Sequence, residues 1–289
     1  MNGSITNKLA GVVILYNPAS QITLENILSY SAGLKKLYIL DNSEQQHAEW
    51  ELLSKQIGDH VEYIYYGSNE GISKRLNTAA HKAIQEGFEY LLTMDQDSSF
   101  PEGAFDKFLN EIENCSIQHV AQFGVNSDPV HLKESAVPLV IDSLITSGTI
   151  LNLSVFKLVG AFDEKLFIDF VDVEYSLRCA YKGYVNVMFL NVIMNHSIGF
   201  KKMGRSFKNF KKTPRILHAP IRAYYIIRNG LYLLFKVKHV SKEAKHKILF
   251  QHMKLLKNDF LYNDRLIDVY KYALLGVYDF LKNKMGKKV

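Results

Sequence analysis

Apolar positions in the first half of the chain fall into short β-branched runs separated by stretches of helical spacing. Gly11–Leu15 is such a run and ends at Tyr16-Asn17-Pro18. Thr23–Gly33 carries helical spacing, Leu37–Leu40 reads as a second strand ending at Asp41-Asn42-Ser43, and His47–Ile57 reads as a helix. Val61–Tyr65 is a third strand, followed by a turn at Gly67–Gly71 and a helix over Ile72–Gly87. Tyr90–Met94 is a fourth strand and ends at Asp95-Gln96-Asp97. Strands alternating with helices predict an α/β fold with a mostly parallel sheet and right-handed crossovers. Ligands of such sheets sit beyond the carboxyl ends of the strands. Asp41, Asn69, Asp95 and Asp97 all follow strand ends and are placed to converge there.

The pattern then loosens. Val120–Leu153 reads as further strands and loops, with Thr146-Ser147-Gly148-Thr149 between apolar runs. Val155–Leu158 begins a short helix, Gly160–Asp163 is a turn, and Val171–Lys182 reads as a helix closed by Gly183. Val185–Leu190 is another strand, followed by Asn195-His196-Ser197. Beyond about residue 215 the pattern becomes long and helical, with apolar residues on 3–4 spacing from Ile248 to Leu281. The expected organisation is an α/β domain over 1–215 and a helical region over 216–289.

With 289 residues, 47% hydrophobic and 22% charged, the chain can bury a sizeable core, which excludes a disordered or low-complexity protein. Two cysteines, Cys115 and Cys179, cannot form a disulfide framework and argue for a reducing compartment. The stretch Met1–Ala10 lacks the basic start and apolar core of a signal peptide. The longest apolar candidate, Ala223–Phe235, carries Arg228 and Asn229 in its middle, and a transmembrane helix needs about 20 apolar residues.

The net charge of +6 hides an asymmetry. Residues 1–199 hold 13 Lys and Arg against 24 Asp and Glu; residues 200–289 hold 22 against 5. A balance of +17 in a segment rich in Tyr, Phe and Leu points to an anionic partner, and a membrane surface fits best. Nucleic acid is not expected: there is no zinc-finger spacing, no RNP pattern and no Arg-rich arm.

Asp95-Gln96-Asp97 puts two carboxylates on alternate residues at a strand end, a hard-oxygen site for Mg²⁺ or Mn²⁺ bridging to substrate phosphates. The competing reading is a helix cap at Ser98 or Ser99, before a helix starting at Pro101-Glu102. Three acids, Asp169, Asp172 and Glu174, interrupt an apolar run. Glu174 can pair with Arg178 four residues on. A carboxylate at Asp172 in a partly apolar cleft has the environment of a general base. His196 after a strand is structural, or fills a coordination position if a metal sits at Asp97.

In order, these pieces resemble a GT-A glycosyltransferase of family 2. They are Val12–Pro18, Leu40–Ser43, Asn69-Glu-Gly-Ile-Ser73 with Asn77, Asp95–Asp97, and Asp172 before a Leu-Arg helix. The segments Phe162–Arg178 and Arg222–Asn229 are most similar to bacterial rhamnosyltransferases, and the likeness spans residues 11–235. It implies a Rossmann-like nucleotide-sugar-binding sheet flanked by helices. Asp41 then matches the acid that recognises the nucleotide base, with Tyr16 and Asn17 beside the base or ribose. Lys74 and Arg75, after Asn69 and Gly71, match contacts to nucleotide or diphosphate. Asp95 matches the ribose and metal contact, Asp97 the principal metal ligand and His196 a late histidine that joins it. Gly148 matches a loop near the donor sugar, and Asp172 matches the catalytic base. The family often has Glu before that aspartate; here Val171 stands there.

The resemblance implies an inverting transfer of a sugar, L-rhamnose from dTDP-L-rhamnose, to a hydroxyl of a glycan or lipid-linked glycan in surface polysaccharide synthesis. The expected location is cytoplasmic, peripheral to the inner membrane. Two alternatives stand: a family 2 transferase using a UDP-hexose, and a non-catalytic module that binds nucleotide-sugar or membrane. The helical region could pair two chains in a homodimer as easily as lie on a membrane. A nucleotidyltransferase would need a glycine-rich, basic loop after the first strand, which Tyr16–Ser20 lacks.

Overall fold

The computed structural model describes residues 4–128, 137–196, 199–205, 210–238 and 241–288. Residues 1–3 of the Met1–Ala10 stretch, 129–136 within the Val120–Leu153 stretch, and Ser197 after His196 lie outside them. The chain forms two compact units. The first comprises Met1–Glu164 and Val171–His196, the second Lys165–Phe170 and Ser197–Val289.

The first unit opens with β1 (Leu9–Leu15), α1 (Ser20–Ser31), β2 (Lys36–Asp41), α2 (Glu49–Ile57), β3 (Val61–Tyr65), α3 (Ile72–Gln85) and β4 (Tyr90–Asp95). These are the strands and helices that the periodicity predicts, shifted by a few residues at most ends. After them come β5 (Ser98–Ser99), α4 (Ala104–Glu113), β6 (Val120–Asn126), β7 (Leu139–Ile141), β8 (Thr149–Asn152) and α5 (Leu153–Val159). The unit closes with α6 (Val171–Tyr181), β9 (Val185–Ile193) and β10 (Asn195–His196).

Eight strands form one sheet in the order β3-β2-β1-β4-β8-β6-β9-β7. The half β3-β2-β1-β4 is parallel, and β8 joins both β4 and β6 antiparallel. β1 is central and apolar on both faces, with Leu9, Ala10, Val12, Val13 and Leu15 fully buried, as expected of a parallel strand covered by helices on each side. The chain steps outward from β1 to β3, then crosses back so that β4 flanks β1 on its other side. That reversal is the topological switch point, where a crevice opens beyond the strand ends. Leu15 stands level with Asp41, and Ile14 with Asp95.

The second unit holds an antiparallel hairpin, β11 (Phe200–Arg205) with β12 (Lys212–Leu217), and three helices. They are α7 (Ile221–Phe235), α8 (Lys242–Tyr262) and α9 (Leu266–Leu281). The single periodic stretch Ile248–Leu281 is therefore two helices, broken at residues 263–265. α9 packs closely on α7: a Cβ at Gly276 would lie 2.6 Å from the Tyr224 carbonyl oxygen. Its other face leaves Ile267, Leu274 and Leu281 exposed. Among the described residues no helix is long and apolar enough to cross a membrane.

Candidate active site

The switch-point crevice is bordered by the loops after β1, β2, β3 and β4. After β1 the chain turns at Asn17, whose φ of +46° lies in the left-handed region that asparagine tolerates. The turn is tied from two sides. The Asn17 N–H donates to Ser43 Oγ (2.8 Å), and the Tyr16 N–H donates to Gln96 Oε1 (2.8 Å). Gln96 Nε2 donates back to the Tyr16 carbonyl (3.1 Å). Gln96 thus joins the β1 loop to the β4 loop. As the middle residue of Asp95-Gln96-Asp97, it carried no role in the sequence reading.

Asp41 is fully buried. Its Oδ1 accepts from the Ser43 N–H (2.9 Å) and its Oδ2 from the Tyr63 hydroxyl (2.7 Å). Burial, and then the Asp41 carboxylate, push the Tyr63 phenol well above its ordinary pKa. Next to it, Asn42 is a node that the sequence reading also missed. Its Oδ1 accepts from the Glu70 N–H (3.1 Å) and Arg75 Nε (2.8 Å), and its Nδ2 donates to Asn69 Oδ1 (2.8 Å).

Arg75 is buried at 2% exposure with its guanidinium 3.5 Å from the centre of the Tyr66 ring. Its Nη2 donates to the Ser68 carbonyl (3.1 Å) and Glu70 Oε2 (2.9 Å). The donors seen here therefore brace the Ser68–Gly71 loop. Lys74 is partly exposed and bonds Glu70 Oε1 at 2.5 Å. Gly71 takes a φ of +90° and its N–H donates to Asn69 Oδ1 (3.1 Å). Asn77, one turn further along α3, bonds both the N–H and the carbonyl of Phe162.

Asp95, Asp97 and His196 come together. Each offers a ligand atom within 4.8 Å of the other two, and His196 Nδ1 lies 3.8 Å from Asp97 Oδ1. The short ladder β5–β10, with His196 opposite Ser98, makes this meeting. Ser98 Oγ and His196 Nδ1 are 2.7 Å apart. Nδ1 is thus the ring nitrogen near both Ser98 and Asp97, and the tautomer decides whether it donates to Ser98 Oγ or accepts from it. The Asp97 side chain is half exposed, whereas Asp95 is partly covered and its N–H donates to Ser147 Oγ (3.1 Å). The capping alternative does not account for this pair. Ser98 and Ser99 are strand, and the following helix starts at Ala104 with Gly103 as its cap.

Two carboxylates and one imidazole fit a divalent cation. Ligands at about 2.1 Å from a common Mg²⁺ can be no more than about 4.2 Å apart, so small side-chain adjustments close this set. Asp97 is the exposed member of the set.

Gly148 is tied to β4, the strand that ends in Asp95. Its φ is +70°, its N–H donates to the Thr93 carbonyl (3.0 Å), and an added Cβ would meet Met194 Sδ at 2.6 Å. Only glycine meets both demands. Asp172 comes from a different element, the first turn of α6, where it is partly exposed and its Oδ1 accepts from the Val173 N–H (2.8 Å). Glu174, two residues on, has a structural partner. It is buried in a two-pronged pair with Arg178 (2.9 and 2.8 Å), which also donates to the carbonyls of Val159, Gly160 and Ala161.

The mixed sheet thus carries its acids at the switch point. Residues 12–154 match the family model for glycosyl transferase family 2. The fold agrees with two solved structures, at 14% and 11% identity. One is S. aureus TarS 1–349 in complex with UDP-GlcNAc, with a TM-score of 0.56 over 95% of this chain and 81% of that one. The other is GalNAc-T7 with UDP, GalNAc and Mn²⁺, with a TM-score of 0.55 over 89% of this chain and 58% of that one. The chain is a glycosyltransferase similar to family 2 and has the GT-A fold. It is similar to a dTDP-rhamnosyl transferase, RfbF of Shigella flexneri, at 27% identity over 257 residues, covering 82% of each protein.

Proposed function

We propose that this glycosyltransferase moves L-rhamnose from dTDP-L-rhamnose to a hydroxyl of a glycan, with inversion at the anomeric carbon. The observation that carries the reading is the convergence of Asp95, Asp97 and His196 at the switch point. The likeness to a dTDP-rhamnosyl transferase supports the donor. A bound Mg²⁺ or Mn²⁺ would neutralise charge on the departing diphosphate, worth several kcal/mol.

The other roles fall to this chain's own residues. Tyr16 and Asn17 border the base and ribose, and Gly148 lets the loop tied to β4 approach the donor sugar. Asp41 holds Ser43 and Tyr63 in place; to meet a base directly, it must share one of those bonds. Lys74 faces the diphosphate, while Asn69, Gly71 and Arg75 keep the neighbouring loop in shape. Asp172 takes the proton from the acceptor hydroxyl as its oxygen attacks, a step typically worth about 10²–10⁴-fold.

Catalysis belongs to the first unit in this reading, and the basic helices after residue 216 serve as the contact surface. The exposed apolar row on α9, in a region of 22 Lys and Arg, supports contact with an anionic membrane surface. In this reading the enzyme works at the cytoplasmic face of the inner membrane on a lipid-linked acceptor. Two such basic regions repel each other, which disfavours pairing through this face.

The test is Asp172→Asn, assayed by dTDP release from dTDP-L-rhamnose with water as acceptor. The variant should bind dTDP-L-rhamnose as the native protein does and lose turnover by about 10²-fold or more. Unchanged turnover would remove Asp172 from the chemistry.

A further inference from the structure

In the run Asp95-Gln96-Asp97 the two acids face the metal, and Gln96 is left without a task in the chemistry. Its bonds give it one. The Gln96 carboxamide closes on a single residue of the neighbouring loop. Oε1 accepts from the Tyr16 N–H (2.8 Å), and Nε2 donates to the Tyr16 carbonyl (3.1 Å). Gripping both groups takes an acceptor and a donor on one planar side chain. An ionised glutamate has no donor, and a lysine has no acceptor.

The backbone of Gln96 is held in its turn. Its carbonyl accepts from Asn26 Nδ2 of α1 (3.0 Å). A little further on, the Phe100 N–H donates to Ser29 Oγ of the same helix (3.0 Å). The loop that carries both acids is thus fastened to α1, and Gln96 reaches from that fastened loop to the end of β1. All of these residues belong to the first unit.

The Tyr16–Asn17 turn depends on such a tie. Asn17 stands at φ +46° and Tyr16 is 45% exposed, so packing does little to fix the turn. On its far side the Asn17 N–H bonds Ser43 Oγ (2.8 Å). A loop that must be ordered on binding takes that cost out of the affinity, and a loop held beforehand does not.

We propose that Gln96 is a positioning residue for the nucleoside: it holds the Tyr16–Asn17 turn in the shape that borders base and ribose. The inference rests on the reading of Tyr16 and Asn17 as that border. The run Asp95-Gln96-Asp97 then serves both ends of the donor nucleotide, the acids through the metal and the glutamine through the loop it grips. Gln96 needs no contact with the donor itself.

Gln96→Ala and Gln96→Met, compared with the native protein and with Tyr16→Ala, test it. Methionine keeps the length of the side chain and drops both bonds. Gln96 is partly exposed, so either change is tolerable to the fold. One probe is thymidine, which has no phosphate; the other is inorganic pyrophosphate with Mg²⁺, which has no nucleoside. A net hydrogen bond is worth about two- to tenfold. Both Gln96 variants should therefore bind thymidine about tenfold more weakly and hold pyrophosphate within about twofold of native. In dTDP release from dTDP-L-rhamnose, KM should rise with kcat within about twofold, as when binding is lost equally from ground and transition states. Native thymidine affinity in Gln96→Met, equal loss of both probes, or a fall in kcat at constant KM overturns the proposal. Loss of thymidine binding in Tyr16→Ala alone overturns it too, and leaves the nucleoside border intact. Thymidine affinity indifferent to Tyr16→Ala overturns that border and the positioning of it together.

Discussion

Replacing Arg178 with alanine separates the structural acid of the triplet from the chemical one. Glu174 is 3% exposed and has Arg178 as a two-pronged partner at 2.8–2.9 Å. Truncating Arg178 leaves a buried carboxylate without its counter-charge, which costs about 3–5 kcal/mol. The carbonyls of residues 159–161 lose their donor in the same step. Glu174→Gln is milder. The remaining guanidinium is 13% exposed and keeps three carbonyls, so the loss is closer to one charged hydrogen bond, about 1.5–3 kcal/mol. Urea unfolding followed by Trp50, the single tryptophan, reads out the first unit, where it is fully buried in α2. With a urea slope of about 1–3 kcal/mol per molar, Arg178→Ala should lower the midpoint by about 1 M or more. A loss under about 1 kcal/mol, or equal losses in the two variants, refutes the reasoning about the uncompensated charge.

Other expectations follow from the same geometry. Gly148→Ala adds a left-handed penalty and a 2.6 Å clash with Met194 Sδ, together about 2–5 kcal/mol by denaturation; full stability would show that the loop relaxes freely. Burial pushes the Cys179 thiol from an ordinary 9.0 to about 12. The unfolded chain therefore loses this proton first, and stability should fall as pH rises from about 9 towards 12. Iodoacetamide at pH 8 should label the half-buried Cys115 and spare Cys179 until the chain unfolds; equal labelling rates contradict the burial argument. The basic second unit should bind vesicles of anionic phospholipid at low salt and lose them as ionic strength rises; equal binding to neutral vesicles contradicts a charge-driven contact.

β1 to β4 and the helices between them are legible because each writes a period. β3 and the start of β4 fall where the alternation puts them, and the acids at strand ends mark the crevice. Residues with no period to write escaped. β5 and β10 are two residues each, too short for any pattern, yet they carry His196 to Asp97. The hairpin β11–β12 is rich in lysine and arginine and writes no alternation of apolar and polar residues. The left-handed pair Asp169-Phe170 has no glycine to announce it. Arg75 looks in sequence like a cation waiting for phosphate. Its partners Asn42, Ser68 and Glu70 come from other loops and are visible only once those loops are folded together.

The central claim is a metal-assisted donor site built on Asp95, Asp97 and His196. Calorimetric titration of dTDP-L-rhamnose into the protein, with and without Mg²⁺, and against UDP-glucose, tests it most directly. The account predicts binding of dTDP-L-rhamnose that needs Mg²⁺ and is lost in Asp97→Asn. Binding that is indifferent to the metal and to Asp97, or a preference for UDP-glucose, would contradict it.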